Sequence, residues 1–243
     1  RISGILQSTD VHSTLNAMRA LGVRISILDD DVVEVIGVGM HGLQEPVKPL
    51  DLGNAGTGVR LLMGMVAGQN ITATFIGDES LSSRPMRRIT KPLSQMGIQV
   101  SDYGDGFLPV RITGRSSPLP INYNSPVASA QIKSAILLAG LNARGVTSVT
   151  EPAKSRDHTE RMLRHFGAEV NTHTNLDGSY IASVRGGVTL EANDIIVPRD
   201  PSSAAFLIVA GLITENSQLL LPTIGMSTER IGLITTLREM GGK

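Results

Sequence analysis

Apolar positions along the chain follow two helical patterns, which alternate with short β-branched runs. The first pattern is amphipathic. It has a polar or proline-marked start, apolar residues three or four apart, and then a bulky residue and a glycine, usually before a strand-like run. It occurs as TDVHSTLNAMRALGVRI, SRPMRRITKPLSQMGIQV, SRDHTERMLRHFGAEV and STERIGLITTLREMGGK. Helical spacing puts Met86, Ile89, Leu93 and Met96 on one face of the second copy, and Val11, Leu15, Met18 and Leu21 on one face of the first. The closing glycines, Gly22, Gly97, Gly167 and Gly241, recur at steps of 75, 70 and 74 residues. They read as left-handed caps at helix C-termini. Pro85 opens the second copy, and Pro92 predicts a kink or a delayed start.

The second pattern is small and polar at its start and apolar nearly all round afterwards: GTGVRLLMGMVAG, ASAQIKSAILLAG and PSSAAFLIVAG. Helices of that kind are expected to be buried. Strands are expected at Ile71–Ile76 and Val146–Val149, and a hairpin pairs Arg24–Leu28 with Val32–Ile36 through a turn at Asp29–Asp31. The period predicts an α/β (α+β) fold of repeated βαβαββ units, with buried helices behind outer sheets and amphipathic helices. The repeat starts and stops out of phase at both ends of the 243 residues, which predicts a fragment cut inside a repeat. Atypical terminal repeats are the alternative.

Composition narrows the function classes. Lys+Arg and Asp+Glu both number 22, so bulk charge points to neither nucleic acid nor an anionic membrane. Aromatic residues make up 3% and Trp is absent, which argues against base-stacking platforms. With no cysteine, disulfides, thiolate metal sites and a cysteine nucleophile are ruled out, and the chain fits a reducing cytoplasm. The longest apolar run, Ala204–Ile213, is about half of a membrane span.

The buried-helix starts are the candidate chemistry. In GNAGTGVRLLMG, small residues would leave backbone N–H groups and a positive dipole end open to an anion, with Thr57 or Asn54 capping the turn and Arg60 one turn on. Tight helix packing demands small residues too, and spacing leaves both readings open. Arg84 precedes the second amphipathic helix, and Arg156 holds the corresponding loop one repeat later, where guanidinium groups suit oxyanions. Ser129, Ala130 and Gln131 open the second buried helix. Asp157-His158 reads as a capping and solvent-facing pair. Gly37-Val38-Gly39-Met40-His41-Gly42 matches a dinucleotide fingerprint, but LQEPVKPL follows it in place of a helix, so a turn is expected. The five histidines lack metal-ligand spacing.

GNAGTGVRLLMG, GDESLSSRPM, SAQIKSAILLAGLNARG, EPAKSRDHTERMLRHFGAEV and RDPSSAAF resemble, in order and spacing, the 5-enolpyruvylshikimate-3-phosphate synthase family, in the branch carrying Ser-Ala-Gln and Arg-Asp-His. The resemblance implies two domains with substrates in the cleft between them, divided here as 1–197 and 198–243. It implies a monomeric, cytoplasmic enzyme without metal or organic cofactor. The reaction moves the enolpyruvyl group of phosphoenolpyruvate to the 5-hydroxyl of shikimate 3-phosphate. Position by position, Gly56, Arg84 and Gln131 are expected to contact phosphoenolpyruvate. Ser129, Ala130, Gln131 and Arg156 are expected to hold shikimate 3-phosphate, with Asn54, Thr57 and Arg60 supporting. Asp200 is expected to pair with Arg60 on domain closure. No residue matches the family's acid and base, so the chain alone is expected to be inactive. Arg199 stands where the family has Gly, near the hinge, and Gly56 where glyphosate-tolerant members carry Ala. A UDP-N-acetylglucosamine enolpyruvyl transferase, without its usual cysteine, and an anion-binding repeat scaffold are the alternatives.

Overall fold

The computed structural model describes residues 1–102 and 104–242; Lys243, which closes the fourth amphipathic copy, lies outside the described residues. Three four-stranded sheets share one plan. In the first, β1 (Ile2–Ser3) lies between β12 (Ile195–Ile196), to which it is parallel, and β3 (Val32–Ile36), which carries β2 (Arg24–Asp29) on its far side. The second runs β4 (Leu50–Asp51), β5 (Thr72–Ile76), β7 (Val110–Thr113), β6 (Gln99–Ser101). The third runs β8 (Asn122–Asn124), β9 (Val146–Glu151), β11 (Tyr180–Arg185), β10 (Val170–Thr174). In each, the outer pair that leads the order is parallel and the other two pairs are antiparallel. The expected βαβαββ unit is therefore present, with the hairpin of β2 and β3 turning where the acidic run predicts. The first sheet draws its parallel edge from the far end of the segment, pairing Ile2 with Ile195.

Two of the apolar helices form the centre. Helix α2 (Gly56–Ala67) packs on α5 (Ala130–Gly140), and the contact is close because Gly64 has no side chain. A Cβ there would stand 2.2 Å from the Ala135 carbonyl oxygen and 2.6 Å from its Cα. Val59, Leu62, Met63 and Val66 meet Ile132, Ile136 and Ala139 in one core, which Phe75, Val110 and Ile112 extend to the second sheet. The amphipathic helices cover the outside: α1 (Thr9–Ala20), α4 (Arg87–Gln95), α6 (His158–His165) and α8 (Gly232–Glu239). Met86, Ile89, Leu93 and Met96 are all buried, as their spacing predicts, whereas on the first copy only Leu21 of the four named residues is. The four capping glycines have φ of +90°, +80°, +84° and +95°, the left-handed cap the pattern calls for. Helix α4 begins two residues after Pro85 and runs through Pro92 to Gln95. A short helix, α3 (Glu79–Ser82), precedes it.

The third apolar helix departs from expectation. Along α7 (Pro201–Ile213) only Ala204 is buried, and Phe206 is 81% exposed. The described residues offer it only the 217–226 segment and α8, which line a groove along one side. Among the described residues no strand follows α7; Ile224 makes a single parallel bridge to Arg199. The glycine-rich stretch at 37–42 is a turn without a following helix, as the prolines after it, Pro46 and Pro49, indicate.

Candidate anion-binding site

Helix α2 starts without a side-chain cap, with Ala55 at the cap position. Neither Asn54 nor Thr57 caps it, contrary to the sequence reading, because both side chains are used sideways. Asn54 Nδ2 donates to Asp78 Oδ2 at 2.9 Å, and its Oδ1 accepts from Arg84 Nη2 at 2.6 Å. Asp78 in turn caps α3 by accepting from the Leu81 N–H. Asp78 thus fixes the Asn54 amide, and the amide aims Arg84; the sequence reading missed this carboxylate, although an Asp one residue before a short helix signals a cap. Ser80 Oγ takes a second bond from Arg84 at 3.1 Å.

Gly56 lies under two guanidinium groups. A Cβ on it would stand 3.0 Å from Arg84 Nη1 and 3.1 Å from Arg60 Nη1. Arg60 Nη1 also donates to the Gly56 carbonyl at 2.8 Å. Burial, and then the charges of Arg84 and Arg88, hold the Arg60 guanidinium below its ordinary value. Among the described residues none of these three arginines has an acidic partner within ion-pair distance. Like charges held together without a carboxylate, at an uncapped helix start, form a site that an anion would relieve. Arg88 was not singled out in the sequence; its signal is its position in the first turn of α4, four residues after Arg84.

The start of α5 is built differently. Ser129 caps it, accepting from the Ile132 N–H at 3.5 Å, and its own N–H donates to Glu151 Oε1 at 2.7 Å. Gln131 Nε2 crosses to Thr57 Oγ1 at 2.7 Å, which ties the two helix starts together. A cavity of about 130 Å³ runs between them, lined by Thr57, Ala130, Gln131 and Arg156 among others. A second, of about 500 Å³, opens beside it over Ser129, Ala130, Gln131, Lys154, Arg156 and Arg230. Arg156 lines both, with no acidic partner among the described residues. Arg84 lines neither cavity and belongs to the α2 group.

Asp200 is not paired with Arg60 in this structure. It caps α7 through Ser203, accepting from its N–H at 2.8 Å and its hydroxyl at 2.9 Å, and it is paired with Arg230. Burial pushes this carboxyl up, but the Ser203 bonds and Arg230 outweigh it and hold it low. Arg230, not Asp200, reaches the larger cavity, which Glu229 also lines. Asp157 occupies the cap position of α6 without capping it. Arg161 Nε, at 2.8 Å, and Lys154, at 3.3 Å, take its carboxylate instead. Lys154 also reaches Glu229 at 2.6 Å, so the loop after β9 is bonded to the segment before α8.

Comparison with known proteins bears on all of this. Residues 1–243 match the profile of the family described as EPSP synthase (3-phosphoshikimate 1-carboxyvinyltransferase). A protein named 3-phosphoshikimate 1-carboxyvinyltransferase from Novosphingobium aromaticivorans is 52% identical over 242 residues, which is 100% of this chain and 55% of that protein. One of the same name from Rhodopseudomonas palustris is 54% identical over 243 residues, again 55% of its length. The solved EPSP synthase of Acinetobacter baumannii superposes with a TM-score of 0.90 at 48% identity, covering 99% of this chain and 53% of that one. The chain thus spans about half the length of the relatives it matches. No described helix is long and apolar enough to cross a membrane.

Proposed function

The chain belongs to the EPSP synthase family, and on that premise we propose that it forms part of an enzyme that transfers the enolpyruvyl group of phosphoenolpyruvate to the 5-hydroxyl of shikimate 3-phosphate. In that reaction a C–O bond forms between the hydroxyl oxygen and C2 of phosphoenolpyruvate, and the C2–O bond to phosphate breaks. A proton is gained and later lost at the methylene carbon, and phosphate leaves. The observation that carries the reading is the junction of two buried helix starts. One is uncapped and ringed by guanidinium groups without an acidic partner among the described residues, the other faces Arg156 across the cavities, and Gln131 bonds across to Thr57.

Two multiply anionic substrates repel each other and lose hydration on meeting. Fixed cations and helix N-termini offset both effects without rearranging as charge moves to the leaving phosphate. On this reading Arg84, Gly56 and Gln131 hold phosphoenolpyruvate, with Arg60, Asn54 and Thr57 shaping that wall. Arg156 and Ser129 to Gln131 hold shikimate 3-phosphate in the larger cavity. A boundary between domains at Val197–Pro201 fits the closing of the first sheet by Ile195–Ile196 and the separate cap of α7. A monomeric, cytoplasmic enzyme without metal or organic cofactor, whose acid and base groups are not among these residues, completes the proposal. Phosphate release from the full-length protein carrying this segment tests it. Release that needs both substrates supports the proposal, and release that is indifferent to shikimate 3-phosphate refutes it.

A further inference from the structure

Beneath the larger cavity lies a group of charges that plays no part in the reading above. Lys133, on α5, is fully buried. Its ammonium lies 3.0 Å from Glu151 Oε2, 2.8 Å from Glu160 Oε1 and 3.0 Å from Ser155 Oγ. It also sits 4.9 Å from the centre of the Tyr180 ring. Glu151 and Glu160 are fully buried too. Burial of that kind can cost more in lost hydration than pairing returns, and an apolar cluster of the same volume is often at least as stable. Stability alone therefore gives a poor reason for the group.

Its connections give a better one. Glu151, the last residue of β9, accepts from the Ser129 N–H at 2.7 Å. It also accepts from the Ser155 hydroxyl at 2.9 and 2.8 Å. That hydroxyl spends its one hydrogen on Glu151 and accepts from Lys133. Ser129 is the cap of α5 and Ser155 directly precedes Arg156, so one carboxylate holds both walls of the cavity. Lys133 fixes that carboxylate from below and joins it to Glu160 on α6, the helix that follows Arg156.

We propose that Lys133 is a positioning residue. Through Glu151 and Ser155 it sets the spacing between the Ser129 turn and Arg156, and so sets affinity for the phosphorylated acceptor far more than for the enolpyruvyl donor. The proposal rests on the assignment of this cavity to shikimate 3-phosphate. The network bonds to neither Arg84 nor Gly56 and meets the donor side only through the Ser129–Gln131 turn, so a positioning role weighs on the acceptor far more than on the donor, where a general loss of packing would not.

The test uses two variants of the full-length protein carrying this segment, with steady-state constants for both substrates and a melting temperature for each. Lys133→Met combined with Glu151→Gln and Glu160→Leu removes the ions together and leaves no buried charge unpaired. Ser155→Ala removes only the bridging hydroxyl beside Arg156. The expected result is a KM for shikimate 3-phosphate raised about tenfold in the triple variant and several-fold in Ser155→Ala, which is on the order of one decade of affinity. The KM for phosphoenolpyruvate is expected to stay within about twofold in both. Unchanged acceptor KM in a folded triple variant overturns the proposal, as do equal rises in both constants. If the triple variant does not fold, Ser155→Ala decides alone, and an unchanged acceptor KM there overturns it. A parent protein that shows no use of shikimate 3-phosphate overturns the functional assignment instead.

Discussion

Gln131 Nε2 donates to Thr57 Oγ1 at 2.7 Å, a bond that spans 74 positions and joins the first turns of the two central helices. It is partly exposed, so its net contribution to folding is small, about 1 kcal/mol. Its position matters more, because Gln131 faces the proposed acceptor cavity while Thr57 belongs to the proposed donor wall. Thr57→Val keeps the shape and deletes the acceptor. We expect the melting temperature to change little, while the enhancement of phosphoenolpyruvate binding by shikimate 3-phosphate falls by about fivefold. Calorimetric titration of one ligand with and without the other measures this, and unchanged coupling would contradict it.

Gly56→Ala tests the donor wall. The added carbon meets the ends of two flexible side chains, Arg84 and Arg60, at 3.0 and 3.1 Å, so the fold should absorb it by small shifts of each. Stability is expected to fall by less than about 1 kcal/mol. The same shifts displace the guanidinium groups from the anion and fill the space above the glycine. Affinity for phosphoenolpyruvate should drop, and inhibition by glyphosate should weaken with it. Equal inhibition constants in parent and variant would refute the placing of Gly56.

Gly64→Val tests the packing beneath. Its Cβ would lie 2.2 Å from backbone, at Ala135, where no side chain can rotate away. The helices must separate, at a cost of about 3 kcal/mol or more. Urea unfolding should show a clear loss of stability with no change in the ligands' relative affinities.

The contrast between α2 and α7 shows how far the chain could be read in advance. Both are small and polar at the start and apolar afterwards, and both form helices where expected. Only α2 is buried, because burial depends on what packs against a helix and not on the helix itself. The four glycine caps were legible since a positive φ is a local demand. Arg84 and Arg156 were legible as unusual positions for charge, but their surroundings were not. The capping roles of Asn54 and Thr57 failed because Arg84 and Gln131, distant in sequence, donate to the side-chain oxygens a cap would use. Lys133, Glu151 and Glu160 gave no signal: a Lys within an apolar helix reads as an interruption until its two carboxylates are seen.

The loop carrying Arg156 should respond to acid. The bond from Lys154 holds the Glu229 carboxyl below its ordinary value. Burial pushes Asp157 up, but Arg161 and Lys154 outweigh it and leave it low as well. Groups with depressed values stabilise the fold in full above the ordinary carboxylate range, and the contribution fades as pH falls through their folded values. The difference in melting temperature between parent and Glu229→Gln should therefore be full at neutral pH and shrink progressively as pH falls below the ordinary carboxylate range. A difference that persists unchanged at pH 3 would be inconsistent with this linkage.

The central claim is that two recurring helix starts join into a pocket for a phosphorylated acid held by Arg156. Isothermal titration of shikimate 3-phosphate, beside UDP-N-acetylglucosamine as control, tests it most directly in the parent protein and in Arg156→Ala. The account predicts saturable binding of shikimate 3-phosphate alone, weakened by about a hundredfold in the variant, as loss of a charge-assisted contact implies. Binding of the nucleotide sugar instead, or equal affinity in parent and variant, would contradict it.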